Sequence, residues 1–214
     1  MSVGNDVVDL ADPEARLSGL HPRWGERVFC AAERKALDAS RSRHLLHWTL
    51  WAAKESAYKA RRRLEPRAVF SPKDYEIELS SLPAPAGVAR GRAFYRSEVF
   101  DLEVRLHGES VHSVATSEDE AGARVLGKVE ETSDDPGVAV RRLAVGALGP
   151  ALGLGPVGLR IVRRPPVAID RDRRIEVAVS LSHHGRFVAF ACTLVDSIRP
   201  SAIRPDPGPA ARGR

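Results

Sequence analysis

Cysteine is scarce in this sequence: two residues in 214, Cys30 and Cys192, far apart. Such a pair builds neither a disulfide framework nor a zinc site, so a reducing cytoplasm is the expected setting. Long apolar runs are also missing. No stretch is long enough to span a bilayer, and the N-terminal MSVGNDVVDL has no basic region ahead of an apolar one. Neither a membrane partner nor a secretory signal is expected. The absence of a short-period repeat excludes a solenoid. There is no strand that interleaves basic and aromatic residues and no recognition-helix signature, which argues against nucleic acid as the partner.

What is present is a hydrophobic share of 43%, enough for a globular core, and a formal charge of +5 with arginine far commoner than lysine. That balance favours an anionic partner such as a phosphorylated cofactor or an acidic protein. The length allows one large domain or two small ones.

Residues 47–64, HWTLWAAKESAYKARRRL, organise the chain. They lack Gly and Pro, are rich in helix formers, and repeat apolar residues at helical spacing. Leu46, Leu50, Ala53, Ala57, Ala60 and Leu64 form one stripe; Trp51, Glu55, Lys59 and Arg62 form another. An acid, a base and a guanidinium on one face can hold a metal and phosphates together. They are also what an ordinary ion-paired surface helix presents.

Before this helix, residues 2–10 read as a strand ended by Asp12-Pro13. Gly4 would let another backbone or a ligand come close. Asp6 sits mid-strand, where a carboxylate is costly unless it is paired or coordinates a metal. Asp9 should face the other way. Residues 21–38 read as a first helix that includes Cys30. After the central helix, residues 75–79, 88–95, 99–106 and 110–116 read as an antiparallel meander. Residues 117–122 and 130–135 read as connections, within a polar surface link around 118–135. A second unit follows: a helix over 138–152, a short strand over 158–162, a basic bend at 163–166, and strands over 175–182 and 186–195 joined at His183-His184-Gly185.

Three pieces together, GNDVVDL (residues 4–10), WAAKESAYKA (51–60) and SLSHHGRFVAFA (180–191), resemble the signature segments of the 4′-phosphopantetheinyl transferases. Residues 22–33 are also similar to the helix after the first motif in short holo-acyl-carrier-protein synthases. The resemblance implies an α+β fold of two pseudo-symmetric halves, each with helices on an antiparallel sheet. It implies transfer of the phosphopantetheine arm of coenzyme A to a carrier-protein serine, with Mg²⁺ required. Asp6 and Glu55 then match metal-binding and catalytic acids, and Lys59 the catalytic lysine of the helix motif, which also contacts the coenzyme A phosphates. Ser182 and His183 match the S-x-S-H strand end that contacts coenzyme A. Arg164 and one of Arg141 and Arg142 match basic residues near the nucleotide. Arg23 and Arg27, with Arg61, Arg62 and Arg63 next in line, are the expected contacts to an acidic carrier. The general base is Glu55 or a metal-held water.

Two departures stand out. Val8 replaces a second acid, and Asn5 an apolar residue, which leaves open a catalytically impaired binding module. The motif order is that of the short, trimeric enzymes, yet the chain is too long for one. Either the halves are in swapped order, residues 1–120 carrying G-x-D and KES and residues 121–198 carrying S-x-S-H, or a short-type unit has an insertion. Swapped halves imply a monomer with one cleft. Residues 199–214 read as a disordered tail.

Overall fold

The computed structural model describes residues 2–85, 87–117, 124–154, 160–162, 165–170 and 175–194. Arg164 and residues 199–214 lie outside them. The chain opens with strand β1 (Val3–Asp9), two 3₁₀ turns, and helices α1 (Trp24–Val28), α2 (Ala31–Ala39) and α3 (Arg43–Leu64). A four-strand meander follows: β2 (Glu76–Leu79), β3 (Val88–Tyr95), β4 (Glu98–His107) and β5 (Ser110–Ser117). The order then repeats as β6 (Arg124–Glu131), α4 (Pro136–Ala151), β7 (Arg160–Val162), β8 (Val167–Asp170), β9 (Ile175–His184) and β10 (Phe187–Leu194).

The two sheets have the same topology. The first runs β1-β5-β4-β3-β2 and the second β6-β10-β9-β8-β7, and the pairings between their strands are antiparallel. In each, the opening strand is followed by the long helix and then pairs with the last strand of a meander. The fold is α+β with two pseudo-symmetric halves. No helix among the described residues is long and apolar enough to cross a membrane.

Each sheet carries a helix on one face and the other sheet on its opposite face. Leu50, Ala53, Ala57 and Ala60 of α3 pack on Tyr75, Ala93, Phe100, Leu102 and Ala115 of the first half. Trp48 and Ala52 pack on Val8, Val104 and Val111. In the second half Ala139, Val140, Leu143, Ala144 and Leu148 of α4 cover Val177, Val179, Val188 and Phe190. Between the sheets, Val3 meets Val114 and Ala191, and Val7 meets Phe187 and Ala189. Side chains alternate along a strand, so this order of helix, sheet, sheet, helix buries both faces of β1. All seven of its residues are buried.

The local signals explain the helices. Ala-rich α3 ends with Arg61, Arg62 and Arg63 in its last turn, where cations suit the carbonyl end. Helix α4 starts where the Asp135 carboxylate accepts from the Val138 N–H, with Pro136 in its first turn. The single helix expected over residues 21–38 is broken. Buried Glu33 accepts from the Cys30 N–H at 2.9 Å, which makes Cys30 the cap of α2 rather than a helical residue. The polar link expected to reach residue 135 is, over Arg124–Glu131, an edge strand fully paired with β10. Its half-exposed, charged composition disguised it. Strand β8 escaped because its four residues, VAID, directly follow Pro165-Pro166 and are too few to show alternation. His183 and His184 belong to β9, and the turn is the two-residue Gly185-Arg186, with Gly185 at φ +53°.

Candidate active site

The site forms where β1 lies against α3. At Gly4 the backbones touch: a Cβ there would overlap Ser56 O and Ala60 N. That approach brings the next residue on the same strand face, Asp6, to the helix. Lys59 Nζ donates to Asp6 Oδ1 at 2.7 Å and to the Asn5 carbonyl at 3.1 Å. Glu55 sits one turn earlier on the same helix face. Burial pushes its carboxyl up to about 7; the Lys59 ammonium opposes the rise and the Asp6 carboxylate adds to it. A carboxyl near 7 can give or take a proton at neutral pH. The structure thus brings Asp6, Glu55 and Lys59 together.

Asp6 and Glu55 supply two carboxylates beside one lysine. Among the described residues no group of three or more His, Cys, Asp or Glu side chains is arranged around a metal position. That donor set fits Mg²⁺, which takes one or two carboxylates and completes its octahedron with waters and phosphate oxygens.

The other face of β1 meets β9. The Asn5 N–H donates to Ser180 Oγ at 2.8 Å, and the Asp9 N–H to His184 Nδ1 at 3.2 Å. These bonds cover the free edge of β1 with side chains instead of another strand. Asn5 Nδ2 donates to Ser182 Oγ at 2.9 Å and lies 3.2 Å from His112 Nε2. Burial holds His112 down at about 3, so its ring is neutral and offers an acceptor nitrogen. Ser182 therefore reaches the site through Asn5, beside Asp6. His183 alternates to the other side of β9 and is exposed. The third side chain facing β1 is His184, not His183.

Of the expected cationic groups, Arg141 donates to the Gly137 carbonyl of its own helix and Arg142 pairs with Asp134 at 2.8 Å, both exposed. Arg61 pairs with Glu98 at 3.0 Å and lies over the Tyr95 ring. Arg63 donates to the carbonyls of Val3, Pro166 and Val179, pinning α3 to both sheets. Arg61 and Arg63 are thus taken up within the chain, and Arg62 is the exposed member of the run. Arg23 is exposed, with Glu26 3.6 Å away, and Arg27 is exposed. A groove of about 560 Å³ beside them includes Trp24, Phe29, Arg34 and His47 and none of the three site residues.

Sequence reasoning passed over two further clusters. Lys54, adjacent to Glu55 in the motif, turns into the core and pairs with Glu33 at 2.8 Å and with the Tyr75 carbonyl. Asp9, wholly buried, takes two bonds from the Arg186 guanidinium, at 2.8 and 2.9 Å. A charged residue directly after a Gly turn was the available signal for Arg186; Glu33, among the charges of α2, gave none.

Residues 2–117 match the family profile described as the 4′-phosphopantetheinyl transferase superfamily, with the label ACPS. The chain belongs to that superfamily. Among solved structures it is similar to holo-[acyl-carrier-protein] synthase (AcpS) of Thermotoga maritima. The two are 16% identical over 62% of this chain and 70% of that one, with a TM-score of 0.34. None of the curated proteins matches the sequence.

Proposed function

We propose that this protein transfers 4′-phosphopantetheine from coenzyme A to a serine hydroxyl of an apo carrier protein, releasing adenosine 3′,5′-bisphosphate. The observation that carries the reading is the meeting of Asp6, Glu55 and Lys59 across β1 and α3, within the segment that matches the superfamily. The carrier serine Oγ forms a bond to the β-phosphorus of coenzyme A as the P–O bond to the departing nucleotide breaks. Asp6 and Glu55 would hold Mg²⁺, whose charge neutralises phosphate oxygens when bound. Lys59 stabilises the leaving phosphate oxygen. Glu55 or a metal-held water accepts the serine proton.

Exposed His183 and the arginines Arg141, Arg142 and Arg164 are the groups we assign to the coenzyme A phosphates, while Ser182 supports the site from behind. An acidic carrier would dock on Arg23 and Arg27, beside the aromatic groove, with Arg62 as an outlying contact. We also read residues 1–120 and 121–198 as halves in swapped order, the second standing where a short enzyme places a neighbouring subunit, which makes a monomer sufficient. Incubation of the wild-type protein with coenzyme A, Mg²⁺ and candidate apo carriers tests the function. Mass spectrometry should show a carrier gaining one phosphopantetheine. A panel of fatty-acid, polyketide and nonribosomal-peptide carriers left unmodified contradicts it.

A further inference from the structure

The Asn5 side chain touches both halves at the site, His112 in the first and Ser182 in the second. It is fully buried. Its N–H is held by Ser180 and its amide by Ser182 and His112, while its carbonyl accepts from Lys59. His112 is in turn fixed against the second sheet, its Cε1 lying 3.4 Å from where a Gly127 Cβ would stand. In this orientation Nδ2 faces both Ser182 Oγ and His112 Nε2, one hydrogen for each. Asn5 Oδ1 is buried with no hydrogen-bond partner among the described residues. A site needing only bulk would use an apolar residue and avoid that penalty of roughly 1–3 kcal/mol for an unmet polar atom.

We propose that Asn5 is a positioning residue that locks β1 to the second sheet and so fixes Asp6 and Lys59 relative to each other and to the strand end at Ser182. The inference rests on the transferase reading for its kinetic consequence but not for its structural one. Asp6 follows Asn5 directly, so a shift or twist of β1 moves its carboxylate. The Asn5 carbonyl that helps hold Lys59 moves with it. A displacement of ~1 Å at a reacting centre can cost ~10²-fold in rate.

The test uses the full chain carrying Asn5→Leu, which keeps the volume and removes the amide. A second variant, His112→Phe, removes one acceptor while filling the space. The expected result for Asn5→Leu is a kcat for transfer lower by ~10²-fold with the KM for coenzyme A changed less than ~3-fold. His112→Phe should lose less. Both should need more Mg²⁺ for half-maximal activity. Amide hydrogen exchange should quicken across residues 3–9 while β3 and β4 keep wild-type protection. A loss of activity matching only the unfolded fraction, or wild-type kinetics in Asn5→Leu, overturns the proposal. If the wild type transfers nothing, the functional reading fails. The exchange result then decides alone: unchanged protection of β1 in both variants refutes the lock.

Discussion

Two lysines five residues apart on α3 each pair with a carboxylate, and the pairs do different work. Lys54 and Glu33 are shut away, with side chains 0% and 5% exposed. Lys59 and Asp6 remain partly open, at 29% and 12%. Glu33 takes three donors: besides Lys54 it accepts from the N–H groups of Cys30 and Ile77. The inner pair thereby joins α2, α3 and β2 inside the core. Burial moves Lys54 down from the ordinary lysine range, yet Glu33 opposes that shift. The outer pair has a second carboxylate beside it, Glu55, and is partly open to solvent. An enclosed ion pair with further bonds to the backbone holds a fold together. An incomplete and accessible one is available for chemistry.

Substitutions separate the two roles. The largest stability effect should come from Lys54→Met, which leaves Glu33 charged and buried: a loss of about 3–5 kcal/mol in denaturant unfolding, partly recovered by adding Glu33→Leu. Its folded fraction should transfer at a near-normal rate. Lys59→Met should do the reverse. Its stability should change by about 1 kcal/mol or less, because the pair is partly solvated. Its single-turnover transfer should slow by ~10²-fold or more, the scale of losing one contact to developing charge. Equal stability losses in the two variants, or equal losses of rate, would erase the distinction.

A smaller effect belongs to the pair that fastens the sheets at the far end of β1. The Arg186 guanidinium holds the Asp9 carboxyl at about 2, below its ordinary 3.8. A lowered acid contributes stability above pH 3.8 and loses it as pH falls through about 2. Arg186 is 43% exposed, which screens the interaction. Asp9→Asn should therefore cost about 1–2 kcal/mol at neutral pH and flatten the acid limb of the stability curve. An unchanged acid limb would place the fastening elsewhere.

Much of this arrangement was legible in the chain. The apolar spacing of α3 gave a helix with Glu55 and Lys59 on one face. The Gly4 and Asp6 pattern gave a strand with a close approach and a carboxylate needing a partner, and that partner is Lys59. The hairpins of the first meander followed from alternation and turn residues. What escaped was set by contacts remote in sequence. Glu33 breaks the first helix by capping α2 while bound to Lys54. Strand β6 is polar on its exposed side, so its pairing with β10 left no clean alternation. Asn5 looked like a departure from an apolar position, because its partners Ser180, Ser182 and His112 lie more than a hundred residues away. The matching order of the two sheets is likewise a property of topology, with no repeated letters to announce it.

The central claim is that the accessible outer cluster, and not the enclosed inner pair, carries the transfer. The most direct measurement is the single-turnover rate of phosphopantetheine transfer by folded Asp6→Ala and Glu55→Ala proteins, with coenzyme A, Mg²⁺ and a carrier that the wild type modifies. The account predicts that neither variant loads the carrier while each unfolds cooperatively like the wild type. Near-normal loading by either one contradicts it.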